Sequence, residues 1–283
     1  MLKHVLLIWL FKMKLLTCNC HYEIKYSGLQ QGRGTWTSTK IGILPKEVNE
    51  SSGLIPATDS TYWTLNDGGG ANELFEITKT GKLIRTQAIP TAKNNDWEEL
   101  TKDAVGHIFI GDFGNNNNSR KDLMIYKVNP NKESSFTPER IKIHYANQES
   151  FPAIKESKIF DCEAMFAKGD SLYLFSKNRG GNHLVQLYAL KSEAGEYALL
   201  PKDEISLKAQ VTGAAISPDG SEFVLLSYGK LYFFDSSSAD INFKKPKFCV
   251  KMPLKQAESI IFESSSRILI TNEQGEIWQL SKN

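Results

Sequence analysis

Five residues recur at one place in a repeated pattern and carry most of the chemistry open to this chain. Ser52, Glu98, Glu163, Gly213 and Glu258 each stand two positions ahead of an apolar residue (Leu54, Leu100, Met165, Ala215 and Ile260) at the start of a strand-like run. Three of them are glutamates, which strand interiors disfavour. Gathered round one axis, each pair of carboxylates would repel by about 3 kcal/mol at an effective dielectric constant of about 20. Either their pKa values rise or a cation sits among them. Oxygen donors from Glu and Ser suit Ca2+ better than zinc or copper. The five positions are therefore expected to form a central Ca2+ site.

A second set of polar residues follows later strands of the same pattern. It comprises Asn66 and Asp67, then Asp112, Asn115 and Arg120, then Lys177, Asn178 and Arg179, and finally Asn272. Placed round a carboxylate-cation centre, Arg120, Lys177 and Arg179 could hold a small anionic ligand. Asn, Gly and Asp are also the preferred residues of hairpin turns, so each loop has a purely structural reading. His183, beside Arg179, is the one histidine placed to act as a general base. No nucleophile elbow or dinucleotide fingerprint occurs, and no catalytic residue is assigned.

The elements that must position these groups are strands. From residue 40 onward, Val, Ile, Leu, Phe and Tyr alternate with polar residues, and Gly, Asn, Asp and Pro fill the gaps. The five starts lie about 45–65 residues apart, the length of a four-stranded propeller blade. The long second interval holds a polar, Pro-bearing insertion between Ser134 and Lys158. The last unit has three strands, and the segment from Thr35 to Leu44 can supply its fourth. Closure of that kind removes open sheet edges. The fold expected is an all-β, five-bladed β-propeller closed by an N-terminal strand. A six-bladed ring is the alternative, should Phe136 to Phe151 belong to a further blade.

The register of the five starts resembles the calcium-activated nucleotidases, or apyrases. In these five-bladed propellers, oxygen-bearing side chains in the order Ser, Glu, Glu, Ser, Glu surround a central Ca2+. The matching positions are Ser52, Glu98, Glu163, Gly213 and Glu258, and Gly213 departs from the pattern because it has no side chain. A second resemblance is local. Asp96 to Glu98, the run from Ile110 to Arg120, and the run from Val211 to Gly220 look like an exported bacterial propeller group akin to phytase-like and esterase-like proteins. These resemblances imply a Ca2+ site and, for the first, hydrolysis of phosphate esters or anhydrides. A lactonase-type six-bladed ring is disfavoured by the missing axial asparagines.

Length and composition set the outer limits. The chain has 283 residues, 41% hydrophobic and 23% charged, with a formal charge of +2. That is globular composition, large enough for a proper core. Lys3, Lys12 and Lys14 supply the excess charge, so the body is near neutral and nucleic acid is not expected as a partner. Basic residues followed by the apolar run Val5 to Phe11 resemble a secretory signal, and Leu15 to Cys18 resembles a lipobox. Residues 1–20 are read as a signal or lipoprotein signal, 21–34 as a linker and 35–283 as one domain. The cysteines show no zinc spacing and no disulfide framework. Cys162 is expected to be a small buried residue. The expected protein is an exported monomer, periplasmic, outer-membrane lipoprotein or extracellular. Its membrane contact would be limited to an N-terminal lipid anchor. A polar mouth would bind a small anionic ligand or a protein partner, with the Ca2+-dependent hydrolase as the alternative.

Overall fold

The computed structural model describes residue 20 and residues 29–31, 36–130, 136–155, 158–177, 179–181, 183–237, 240–252 and 256–283. Residues 1–19 of the stretch expected to be a signal, most of the expected linker, and Asn178 among the candidate ligand residues lie outside the described residues; Cys20, the last residue of that stretch, is described. Among the described residues, twenty-two strands form five sheets. Blade 1 runs β3(Ser51–Pro56), β4(Thr61–Asn66), β5(Glu73–Thr78), β6(Leu83–Ala88). Blade 2 runs β7(Trp97–Lys102), β8(Ile108–Asp112), β9(Met124–Val128), β10(Glu139–Tyr145), with β14(Gly195–Leu199) added in parallel to β10. Blade 3 runs β11(Cys162–Lys168), β12(Ser171–Ser176), β13(Leu184–Lys191), β15(Asp203–Ser206). Blade 4 runs β16(Val211–Ile216), β17(Glu222–Ser227), β18(Lys230–Asp235), β19(Phe248–Lys251), with β1(Gln30–Gln31) parallel to β19. Blade 5 runs β20(Ala257–Ser264), β21(Arg267–Asn272), β22(Glu276–Lys282) and closes with β2(Trp36–Ile43).

The ring therefore has five blades and an N-terminal closing strand. β10, the segment that could have belonged to a sixth blade, is the outer strand of blade 2. Each innermost strand touches the next, and β20 returns to β3. Apolar residues on both faces of each sheet fill the gaps between blades. Between blades 3 and 4 the core includes Phe166, Phe175, Phe223 and Phe234, the last two stacked at 4.7 Å. Trp97 is fully buried between blades 1 and 2, and its indole N–H donates to the Lys93 carbonyl at 2.8 Å. Such pairs give shape-specific contact beyond the area they bury.

One disulfide joins Cys20 to Cys249 on β19, where the spacing of the cysteines had pointed to none. The two are 229 residues apart, so only the docking of the N-terminal segment against blade 4 brings them together. Cys162 is free and buried.

Candidate functional site: an acidic mouth on the propeller axis

All five innermost strands slip register by one residue at the same point, between Ser51 and Gly53, Trp97 and Glu99, Cys162 and Ala164, Val211 and Gly213, and Ala257 and Ser259. A β-bulge leaves one residue unpaired and re-aims its side chain. The bulged residues are Ser52, Glu98, Glu163, Thr212 and Glu258. In blade 4 the position belongs to Thr212, not to Gly213. Gly213 instead allows close packing, since a Cβ there would lie 3.0 Å from the Glu258 carbonyl.

The two hydroxyls of this ring pin neighbouring blades together. Ser52 donates to the Trp97 carbonyl at 3.1 Å and Thr212 to the Ala257 carbonyl at 2.7 Å. Glu163 pairs with Lys177 at 2.5 Å and with Arg179 at 2.5 Å, while Arg179 also bonds Asp161. Glu258 accepts a hydrogen bond from the Tyr228 hydroxyl at 2.7 Å. Burial pushes Glu258 up to about 8, against the pull of Lys177. Burial works against the Lys177 ammonium, yet Glu163 and Glu258 outweigh it and hold its pKa well above the usual lysine value. Lys177 is thus a resident cation facing two of the three ring carboxylates.

Glu98 has a different set of neighbours. It is 6% exposed, and among the described residues its carboxylate has no hydrogen-bond partner. Its ligand oxygen and those of Asp67 and Asp96 lie within 4.8 Å of one another. Asp67 follows β4 and accepts the Gly68 N–H at 2.5 Å; Asp96 precedes β7. Two glycines make the approach feasible. A Cβ on Gly68 would stand 2.4 Å from Asp96 Oδ1, and one on Gly114 would stand 2.2 Å from Glu98 Oε1 and 2.5 Å from Asp96 Oδ2. Burial first, then the charges of Glu163, Asp67 and Asp96, push Glu98 well above the carboxylate range. Burial raises Asp67 to about 6 and raises Asp96 against the pull of Arg120. Three carboxyl groups this close, with Arg120, Arg179 and Lys177 pulling on Asp96 alone of the three, are a hard-oxygen donor set of the kind a divalent oxygen-seeking cation can take.

The remaining candidates have mainly structural contacts. Arg120 donates to the Gly114 carbonyl at 2.8 Å and pairs with Asp112 at 3.0 Å and Asp122 at 3.1 Å. Asp112 also accepts the Asp96 N–H at 2.9 Å. Asn115 donates its backbone N–H to Asp161 at 2.7 Å and its side-chain amide to the Phe160 carbonyl at 2.8 Å. Asn66 donates to the Glu47 carbonyl at 2.9 Å. Asn272 accepts the Glu276 N–H at 2.9 Å within its turn.

Three contributors went unassigned in the sequence. Asp96 and Asp161 both stand two residues ahead of a bulged glutamate, a repeated Asp-x-Glu that could have revealed them. Glu99, 1% exposed, accepts the N–H groups of Leu100 at 2.9 Å and of Ala214, from blade 4, at 3.2 Å. Its carboxylate ties blade 2 to blade 4 across the ring; the register that singled out Glu98 passed over it.

The fold and the mouth place this chain among β-propeller proteins. No family model matches it, and no curated protein matches it. Among solved structures it is similar to the PQQ-bound aldose sugar dehydrogenase of Streptomyces coelicolor, with a TM-score of 0.54 at 10% identity over 89% of this chain and 99% of that one. It is also similar to a candidate gluconolactonase, with a TM-score of 0.51 at 11% identity over 91% and 96% of the two chains. A gluconolactonase from Xanthomonas campestris gives a TM-score of 0.47 at 14% identity over 79% and 69%. At these identities the likeness is one of fold.

Proposed function

We propose that this protein is an exported propeller that binds one divalent cation, Ca2+, at its mouth and there holds a small anionic ligand. The cation site lies off the axis and consists of Asp67, Asp96 and Glu98. The observation that carries this reading is Glu98, nine-tenths buried, with no hydrogen bond to its carboxylate among the described residues and facing two further carboxylates. An uncompensated buried carboxylate is costly unless it is protonated or meets a cation. Lys177 is the cation of the axial ring, which leaves Ser52, Thr212, Glu163 and Glu258 as its frame. The disulfide between Cys20 and Cys249 supports export, because such bonds persist in oxidising compartments.

With the cation in place, an anion could complete its coordination from the open side. Hydrolysis of phosphate esters has less support. Arg120, Lys177 and Arg179, which would have to grip the phosphate, already hold Asp112, Asp122, Asp161 and Glu163.

Thermal melting in Ca2+ and in EDTA tests the reading. A ligand that binds the folded state alone adds about 2.7 kcal/mol at a hundredfold excess over Kd, a shift of several degrees. Glu98→Gln and Gly114→Ala are expected to abolish the shift. Identical melting of the unaltered protein in both buffers, or an undiminished shift in Glu98→Gln, would overturn the site.

A further inference from the structure

A second concavity lies on the outer side of blade 2, separated from the acidic mouth by Arg120. It is a cavity of about 240 Å3 lined by Arg120, Lys121, Leu123, Ile143, His144 and Phe151, among others, and none of its lining residues is acidic. Its far wall is the insertion that follows β10. Asn118, fully buried with φ at +52°, helps fasten that segment. The Asn118 carbonyl accepts Ala153 N–H at 3.1 Å and the Gln148 side-chain amide at 2.7 Å. Its side-chain oxygen accepts Phe160 N–H at 2.9 Å, and its amide donates to the Asn115 carbonyl at 2.8 Å. The wall is therefore built into the fold and not a loose loop.

The chemistry of the cavity is the reverse of the mouth. Leu123, Ile143 and the Phe151 ring supply apolar surface. The Lys121 ammonium stands 4.6 Å over the Phe151 ring and has no carboxylate partner among the described residues. Phe151 is 39% exposed, a large aromatic at the rim that burial by a ligand would cover. Arg120 contributes a guanidinium edge whose own charge is met by Asp112 and Asp122. A cation above an aromatic face, beside aliphatic walls and with no acid, complements a flat apolar body that ends in a negative group.

We infer that this cavity is a binding site for a small organic anion, of the class of monocyclic aryl or arylalkyl carboxylates. The apolar body lies against Leu123, Ile143 and Phe151, and the carboxylate meets Lys121. The two residues that carry the site, Lys121 and Phe151, have no hydrogen bond, ion pair or ring contact with Asp67, Asp96 or Glu98 among the described residues, so it is tested separately from the cation centre; Arg120 alone stands between the two.

Titration of the full chain with phenylacetate, followed by ligand-observed NMR and calorimetry, tests the proposal against phenethylamine, which has a similar ring and opposite charge. Phenylacetate is expected to bind with a Kd of roughly millimolar order, and phenethylamine not to saturate. Lys121→Glu, at an exposed position, is expected to weaken phenylacetate about tenfold or more, and Phe151→Ala to weaken it by a similar factor. Glu98→Gln and EDTA should leave the affinity unchanged. Absence of binding, equal binding of the amine, or full affinity in Lys121→Glu would overturn the site. Loss of binding in EDTA would place the probe on the cation centre and overturn it as well, while leaving the cation reading intact.

Discussion

The two Asp-x-Glu segments of blades 2 and 3 begin from the same pattern and end in different electrostatic states. In each, the aspartate precedes the innermost strand and the glutamate occupies its bulge. In blade 3 the Lys177 N–H bonds the Asp161 carbonyl at 2.7 Å, and its side chain turns back onto Glu163. In blade 2 the equivalent backbone bond, to the Asp96 carbonyl, comes from Gly114 at 3.2 Å. A lysine stands at that station in one blade and a glycine in the other. Blade 3 carries its counter-ion in its own sequence, and Arg179 adds a second. Blade 2 leaves the corresponding space beside Asp96 and Glu98 without a side chain. Burial of a strand-start acid thus has two solutions, an internal cation or room for an external one.

The sharpest way to break this comparison is to remove the internal cation. Lys177→Met leaves buried Glu163 with Arg179 alone and Glu258 with the Tyr228 hydroxyl alone, and breaking the buried Lys177–Glu163 pair in this way costs about 3–5 kcal/mol. Glu98→Gln should have the opposite sign in EDTA. It replaces a carboxyl that burial and its acidic neighbours force to hold a proton with an amide that needs none, and is expected to raise stability by roughly 1 kcal/mol above neutral pH. Urea unfolding in EDTA reads both values. If the two substitutions destabilise equally, the two corners are electrostatically alike and the contrast fails.

A smaller effect should appear in the pH dependence. A carboxyl whose folded pKa exceeds its unfolded value binds its proton more tightly when folded, so stability falls as pH rises from the unfolded value to the folded one. For Asp67 that window runs from 3.8 to about 6, and for Glu258 from 4.5 to about 8. The melting temperature in EDTA is expected to decline across both windows and level off above the second. Ca2+ should flatten the lower window, since a bound cation replaces the proton on Asp67. Glu258 beside Lys177, and Asp161, raised to about 7, also contribute above the lower window, and their share of the decline should persist in Ca2+. An undiminished decline across the lower window in Ca2+ would argue against an ion on Asp67.

Much of this architecture was legible because propeller blades repeat. Strand alternation and the spacing of five starts led to five blades, and the incomplete last unit pointed to a closing strand near Thr35. The same register located four of the five bulges. It missed Thr212 because Ala214 and Ala215 are adjacent and equally small, so neither marks which face of the strand is apolar. Pairing between charged side chains was not legible. Asp161, Lys177 and Arg179 meet only when two strands fold together, and nothing in the spacing says that Lys177 turns inward while Arg120 turns to Asp112 and Asp122. The disulfide was hidden for a related reason, since 229 residues separate its cysteines.

Tyr228→Phe should give the smallest effect and probes the internal solution without dismantling it. The ring stays in place, and with it the Lys177 ammonium 5.4 Å above it. Only the hydroxyl that donates to Glu258 is lost. A hydrogen bond to a neutral acceptor contributes about 0.5–1.5 kcal/mol, and one to a charged acceptor about 1.5–3 kcal/mol. Because Glu258 titrates at about 8, it is mostly protonated at neutral pH and ionised above its own pKa. The cost of Tyr228→Phe is therefore expected to be about 1 kcal/mol at pH 7 and to grow on raising the pH past that value. The Tyr228 bond favours the ionised form, so its loss should also move the Glu258 titration upward. Urea unfolding on both sides of pH 8 reads the two effects together. A penalty that shrinks on the alkaline side would mean that Glu258 is already ionised at neutral pH, with Lys177 compensating it fully.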